Sequence, residues 1–187
     1  MVTGVATRKF TVEEFHRMAE AGILHEDDRL ELLDGEIIEM PPIGGPHSST
    51  VDRLTRVFVL ALRDLPAIVR VQNPLRLPGE TELYPDFAIV RPRDDFYRNS
   101  IPTAADVLLV VEVADSSLVF DRSTKASRYA RAGIPEFWLV DVSGNSVEVH
   151  RNPAGDGYAD VLHRRRSDTI SPAAFPSVEI GLNQFLS

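Results

Sequence analysis

Hydrophobic and polar positions run along this chain in blocks that switch between the periods of helix and strand. Residues 11–21 (TVEEFHRMAEA) begin on Thr11 with Glu14 three positions later, a capping-box spacing, and Phe15, Met18 and Ala19 recur at helical intervals. A short amphipathic helix is predicted there. In RLELLDGEIIEM, Leu30 and Leu32 on one side and Ile37, Ile38 and Met40 on the other flank Asp34-Gly35, the dipeptide of a tight hairpin turn. Pro41 to Pro46 (PPIGGP) reads as a loop; no Lys follows its glycines, so it is no phosphate cradle. From His47 to Leu65 the pattern is helical, with Val51, Leu54, Val57, Phe58, Ala61 and Leu62 on one face.

Short strand-like runs follow: Ile68 to Gln72, Leu75 to Leu77, and Tyr84 to Val90. Val107 to Val113 (VLLVVEV) is the most apolar, which places it at a sheet centre with both faces covered. Residues 121–132 predict a helix with Asp121 as N-cap and Gly133 as its stop. Glu136 to Asp141 is a strand, Ser143-Gly144-Asn145 a turn into Val147 to Arg151, and Asp160 to Arg164 one more strand. A weakly patterned tail ends in Phe185-Leu186. The order predicts an α/β fold of the α+β kind: a mixed sheet with flanking helices, in one domain over residues 1–187, without the regular alternation of a doubly wound fold.

Composition narrows the function classes. The 187 residues suffice for one well-buried domain, and 43% hydrophobic with 26% charged residues is ordinary for a soluble globular protein. No apolar run approaches the roughly 20 residues that span a bilayer, and Met1 to Phe10 carries basic residues with no apolar stretch behind them, so neither membrane span nor signal peptide is predicted. The absence of cysteine excludes disulfides and thiolate metal sites and fits a cytoplasmic location. A net charge of −8 argues against a protein that coats nucleic acid by bulk charge, but not against a catalyst whose acids hold a cation. The basic residues are 18 Arg and two Lys, Lys9 and Lys125, which singles out the internal lysine.

Three features carry candidate chemistry. Pro85-Asp86 opens an apolar strand, Glu112 interrupts the most apolar one, and Lys125 lies on the helix that follows. A carboxylate inside a buried strand is costly unless paired or metal-bound, and two carboxylates on neighbouring strand ends suit a hard cation. Each residue also has a plain reading: Pro-Asp as a turn, Glu112 as the partner of an arginine, Lys125 as a solvated helix residue. Asp121 and Tyr129, four residues either side of Lys125, share its helix face.

Together the runs ELLDGEIIEMPP, His47, YPDFAIV, VVEVADSS and DRSTKASRYARAGIPEFWLVD resemble the Uma-type family of the PD-(D/E)XK, restriction-endonuclease-like superfamily, from about Phe10 to Arg151. The resemblance implies a restriction-endonuclease-like core and an Mg²⁺- or Mn²⁺-dependent endonuclease acting on nucleic acid, with DNA the expected substrate. Asp86 then corresponds to the acid of the Pro-Asp motif and Glu112 to that of the second motif, the two holding the metal with the Val113 carbonyl. The lysine two residues beyond that acid is missing, position 114 being alanine, and Lys125 stands in for it from the next helix. Glu31 resembles a further catalytic acid, with a solvent-facing hairpin position as its alternative. His47 either contacts substrate or metal or simply begins its helix.

A competing reading keeps the fold as a catalytically inactive dimeric module that binds nucleic acid or protein, and another has it hydrolyse a small phosphorylated substrate. The densest basic cluster, His163 to Arg166, reads as a solvated face. The acidic balance, the apolar tail and the strand edges predict a two-fold homodimer.

Overall fold

The computed structural model describes residues 6–186. Met1 to Val5, part of the N-terminal stretch read above, and Ser187 lie outside the described residues.

The chain begins with helix α1 (Val12–Glu20), whose predicted capping box forms: the Thr11 hydroxyl accepts from the Glu14 N–H and the Glu14 carboxylate from the Thr11 N–H. The hairpin follows as β1 (Leu30–Leu33) and β2 (Glu36–Glu39), turned through Asp34 and Gly35, both at positive φ. Gly35 has a second reason to be glycine, because a Cβ there would strike the Phe10 carbonyl. Helix α2 (Gly45–Leu62) starts two residues earlier than predicted, since Gly44 takes the extended cap conformation and Pro46 fits the first turn.

Next come β3 (Ile68–Val71), β4 (Leu75–Leu77), β5 (Thr81–Leu83), β6 (Phe87–Val90) and β7 (Val107–Ala114). The run read as one strand from Tyr84 to Val90 is a strand only from Phe87, since Pro85 lacks the N–H a ladder needs, and Thr81–Leu83 just before that run is a separate strand of another sheet. The chain ends with α3 (Leu118–Phe120), a π-helical turn (Asp121–Lys125), α4 (Ala126–Arg131), β8 (Glu136–Asp141), β9 (Ser146–Ala154), β10 (Gly157–Arg165), and the small pair β11 (Thr169–Ile170) and β12 (Ile180–Gly181).

The strands form separate sheets rather than the single one expected. Six make a mixed sheet in the order β10-β9-β8-β7-β6-β3, with β7 and β8 parallel, and four make an antiparallel sheet in the order β2-β1-β5-β4. β7 is interior, as its composition predicts. Its alternate residues serve two cores. Leu109, Val111 and Val113 face α2, where Leu54 and Phe58 pack with Trp138. Val110 and Ala114 face α4, where Tyr129 and Phe137 pack. Glu112 shares the parity of this second face. The terminal Phe185 and Leu186 are buried in the first core, so the tail is not free to cover a second subunit. No helix of the described residues is long and apolar enough to cross a membrane.

Candidate active site

Register brings the first two carboxylates together. β6 pairs antiparallel with β7, Phe87 opposite Val111, and one further step along that register sets Asp86 opposite Glu112. Opposed residues of an antiparallel pair project to one side of the sheet. Asp86 is nearly buried, and its Oδ2 accepts from the Val113 N–H at 2.9 Å and from His47 Nε2 at 3.0 Å. Its Oδ1 accepts from the Gln72 amide at 3.3 Å. Burial pushes the Asp86 carboxyl up, but the His47 hydrogen bond and charge, the Val113 N–H and the Lys125 cation outweigh it and hold the group below its ordinary value.

Val113 contributes its peptide. The N–H and C=O of one strand residue point to the same side, and the neighbouring Ala114 carbonyl takes the Val142 N–H on the other side. The Val113 carbonyl is therefore turned toward Asp86.

Lys125 comes from the opposite direction. The helix predicted to start at Asp121 starts at Leu118, and Asp121 lies inside it, in the π-turn whose Ala126 N–H reaches back to the Asp121 carbonyl. Asp121 is therefore no N-cap. Its Oδ2 accepts from the Ser117 hydroxyl, and burial pushes its carboxyl up. The wider turn buries both Asp121 and Lys125 at its inner side, and π-bulges of this kind recur at functional sites. The helix ends as predicted at Gly133 (φ 78°), with the Ile134 N–H on the Tyr129 carbonyl and the Gly133 N–H on that of Ala130.

The Lys125 ammonium, 2% exposed, lies 3.1 Å from Glu112 Oε1 and 3.2 Å from Glu31 Oε1. Glu31 Oε2 is also 3.1 Å from it, at an angle that makes no hydrogen bond. Burial pulls the ammonium down, but Glu112, Glu31 and Asp121 more than reverse this and keep it charged. Burial pushes Glu112 up to about 8, with Lys125 opposing and the neighbouring acids adding to it. The Tyr129 hydroxyl donates to Glu112 Oε1 at 2.6 Å. Both bonds fall on Oε1 and leave Oε2 outside them. Glu31 is buried, not the solvent-facing hairpin residue of the alternative, and its Oε1 also accepts the Tyr84 N–H at 2.8 Å.

Glu31, Asp86, Glu112, Val113 and Lys125 thus line one cleft, with His47 and Asp121. Tyr129 stands behind Glu112, and the His163 to Arg166 cluster is not part of the lining. Sequence reasoning left out Gln72, which β3–β6 pairing alone places opposite Asp86, and Arg29 and Tyr84, which reach the cleft from the small sheet. The Gln72-Asn73-Pro74 run, a turn signal at a strand end, was the only local hint.

Among the described residues no group of three or more His, Asp or Glu is arranged to hold a metal ion. The donor set nevertheless fits a hard divalent cation. Five carboxylates (Glu31, Asp86, Glu112, Asp115, Asp121) face two cations (Arg29, Lys125) in the cleft, and Glu31 Oε2 and Asp121 Oδ1 are buried acceptors without a hydrogen bond. Mg²⁺ typically takes one or two carboxylates and completes its shell with water and substrate phosphate, so two carboxylates and a carbonyl suffice.

No curated protein matches the chain. Among solved structures it is similar to a putative nuclease belonging to DUF820 from Anabaena variabilis ATCC 29413. The TM-score is 0.74 at 17% identity, over 94% of this chain and 97% of that one, which shows a shared fold. The pattern of the Uma2 family, putative restriction endonucleases, matches residues 12–183, so the resemblance seen in the motifs holds over nearly the whole chain and the protein belongs to the Uma2 family.

Proposed function

We infer that this protein is a divalent-metal-dependent endonuclease, one restriction-endonuclease-like domain that hydrolyses phosphodiester bonds of nucleic acid, DNA first among them. The observation that carries this reading is a buried Lys125 ammonium bonded to Glu112 beside Asp86 in an open acidic cleft. A lysine kept only for stability has little reason to be sealed among carboxylates in the wall of a cleft.

Asp86, Glu112 and the Val113 carbonyl would hold Mg²⁺ or Mn²⁺, which when bound activates water and polarises a phosphoryl oxygen. Lys125 offers a fixed positive charge to the oxygen that gains charge in the transition state, preorganised by Glu31 and Glu112. Tyr129 fixes Glu112 through Oε1, a bond that does not engage Oε2. His47 and the Val113 N–H keep Asp86 ionised. The reading extends to a two-fold dimer, supported by exposed Val161 and Leu162 on the outer strand β10.

Incubation of the purified chain with single- and double-stranded DNA and RNA, with and without Mg²⁺ or Mn²⁺, tests the reading. Cleavage that needs the metal and disappears in Asp86→Asn is expected. Binding without cleavage of any substrate in either metal would replace it with the inactive nucleic-acid-binding module.

A further inference from the structure

A second and larger cavity adjoins the catalytic cleft. It opens between α1 and the four-stranded sheet, and the two spaces share Arg29, Glu31, Met40 and Tyr84 as walls. Their chemistry differs. The cleft is crowded with carboxylates, whereas most of the cavity wall is apolar side chains and rings, among them Phe15, Leu24, Leu30, His16 and Tyr84, with Glu20, Glu31 and Gln72 as its polar part.

The rings are held in place. Glu82, fully buried in β5, contacts His16 Nε2 at 2.8 Å and accepts from the Tyr84 hydroxyl at 3.4 Å. The Tyr84 backbone N–H is bound to Glu31, so its ring is fixed at both ends in the wall between cavity and cleft. Among the described residues Arg29 is the only Lys or Arg lining the cavity, and it faces the cleft as well. One of its guanidinium N–H groups is spent on the Pro41 carbonyl, leaving the rest of the fork for an anion.

We propose that this cavity is a pocket for an unpaired nucleobase, the one next to the phosphate bound at Lys125, with Arg29 holding the phosphate between them. The proposal rests on the nuclease reading and adds the substrate class: single-stranded or locally unpaired nucleic acid. Phosphates are repelled by uncompensated carboxylates, but a neutral base with a π-face suits an apolar cavity with fixed rings. A base stacked inside a duplex cannot enter without being flipped out.

The test is fluorescence anisotropy on the full chain in Ca²⁺ in place of Mg²⁺, which reads binding apart from turnover. The probes are a labelled oligothymidine, an abasic deoxyribose-phosphate strand of the same length, and a blunt duplex. Oligothymidine is expected to bind at least about tenfold more tightly than the abasic strand, the range of a stacked base, and more tightly than the duplex. Ala19→Trp, which fills the cavity from the exposed face of α1, is expected to lower oligothymidine to the abasic level and leave abasic binding unchanged. Equal affinity for oligothymidine and the abasic strand on the unaltered chain, or a preference for duplex, overturns the base pocket alone. Absence of binding to every strand overturns the nucleic-acid reading and the pocket with it.

Discussion

The Lys125 ammonium meets Glu112 Oε1 at 3.1 Å across the gap between a π-helical turn and an interior strand, and the two side chains are 2% and 3% exposed. Glu31 approaches the same ammonium from a different sheet at 3.2 Å. A single ammonium therefore bridges carboxyl groups from two sheets, which ties the small sheet to the six-stranded one at the cleft.

Lys125→Ala should remove most cleavage. From sequence alone this variant is expected to keep its fold. Burial changes that expectation, because it strands two sealed carboxylates without their partner, at a cost of about 3–5 kcal/mol. Urea denaturation should show the loss, and adding Glu31→Gln and Glu112→Gln should recover much of the stability while activity stays absent. Lys125→Arg should also lose activity, since its planar fork is larger than a site sealed to 2% exposure can take. Wild-type cleavage by the Ala variant would remove Lys125 from the reaction.

Asp86→Asn should weaken Mg²⁺ or Mn²⁺ binding by about tenfold or more, since losing even a residue that only orients a metal ligand costs about 10–100-fold. The amide oxygen can still accept the Val113 N–H, so the fold should persist. Isothermal titration calorimetry checks the first statement and thermal denaturation the second; unchanged metal affinity would take Asp86 out of the metal site.

The carboxyls predict opposite pH dependences. Asp86 is held below its ordinary value, so its contribution to stability is present above the unfolded value and is lost as pH falls through the folded one. Glu112 runs the other way. Its folded pKa of about 8 exceeds the ordinary carboxyl value of 4.5, so between these the folded state binds more protons and its stability falls as pH rises. Without added metal, Glu112→Gln should flatten the decline in denaturation midpoint across that window. An unchanged slope would place the titrating group elsewhere.

The tail that once argued for a dimer is buried in its own core, so any self-association must use other surfaces. β10 is an outer strand carrying Val161 and Leu162 at 41% and 40% exposure. A two-fold pairing through this edge should give a dimer by light scattering at micromolar concentration, which Val161→Lys with Leu162→Lys should convert to monomer. A monomeric mass for the unaltered chain would exclude it.

What the sequence determines by itself is local: the capping box at Thr11, the Asp34-Gly35 turn, the stop at Gly133, and the interior place of β7. Each follows from backbone geometry or burial that a few neighbouring residues dictate. The candidates Asp86, Glu112 and Lys125 were legible for the same reason, as polar residues set in or after apolar runs whose burial demands partners. The tertiary structure alone decided which face of β1 carries Glu31 inward, because Leu30, Leu32 and Leu33 beside it leave four residues without a clear alternation. It alone brought His47 and Gln72 onto Asp86, since those bonds join residues 39 and 14 positions apart through strand pairing and helix packing. The π-turn was likewise invisible. Helical periodicity over 121–132 describes an ordinary α-helix, and the i→i+5 bond is recognised only where Asp121 and Lys125 are both found buried beside Glu112.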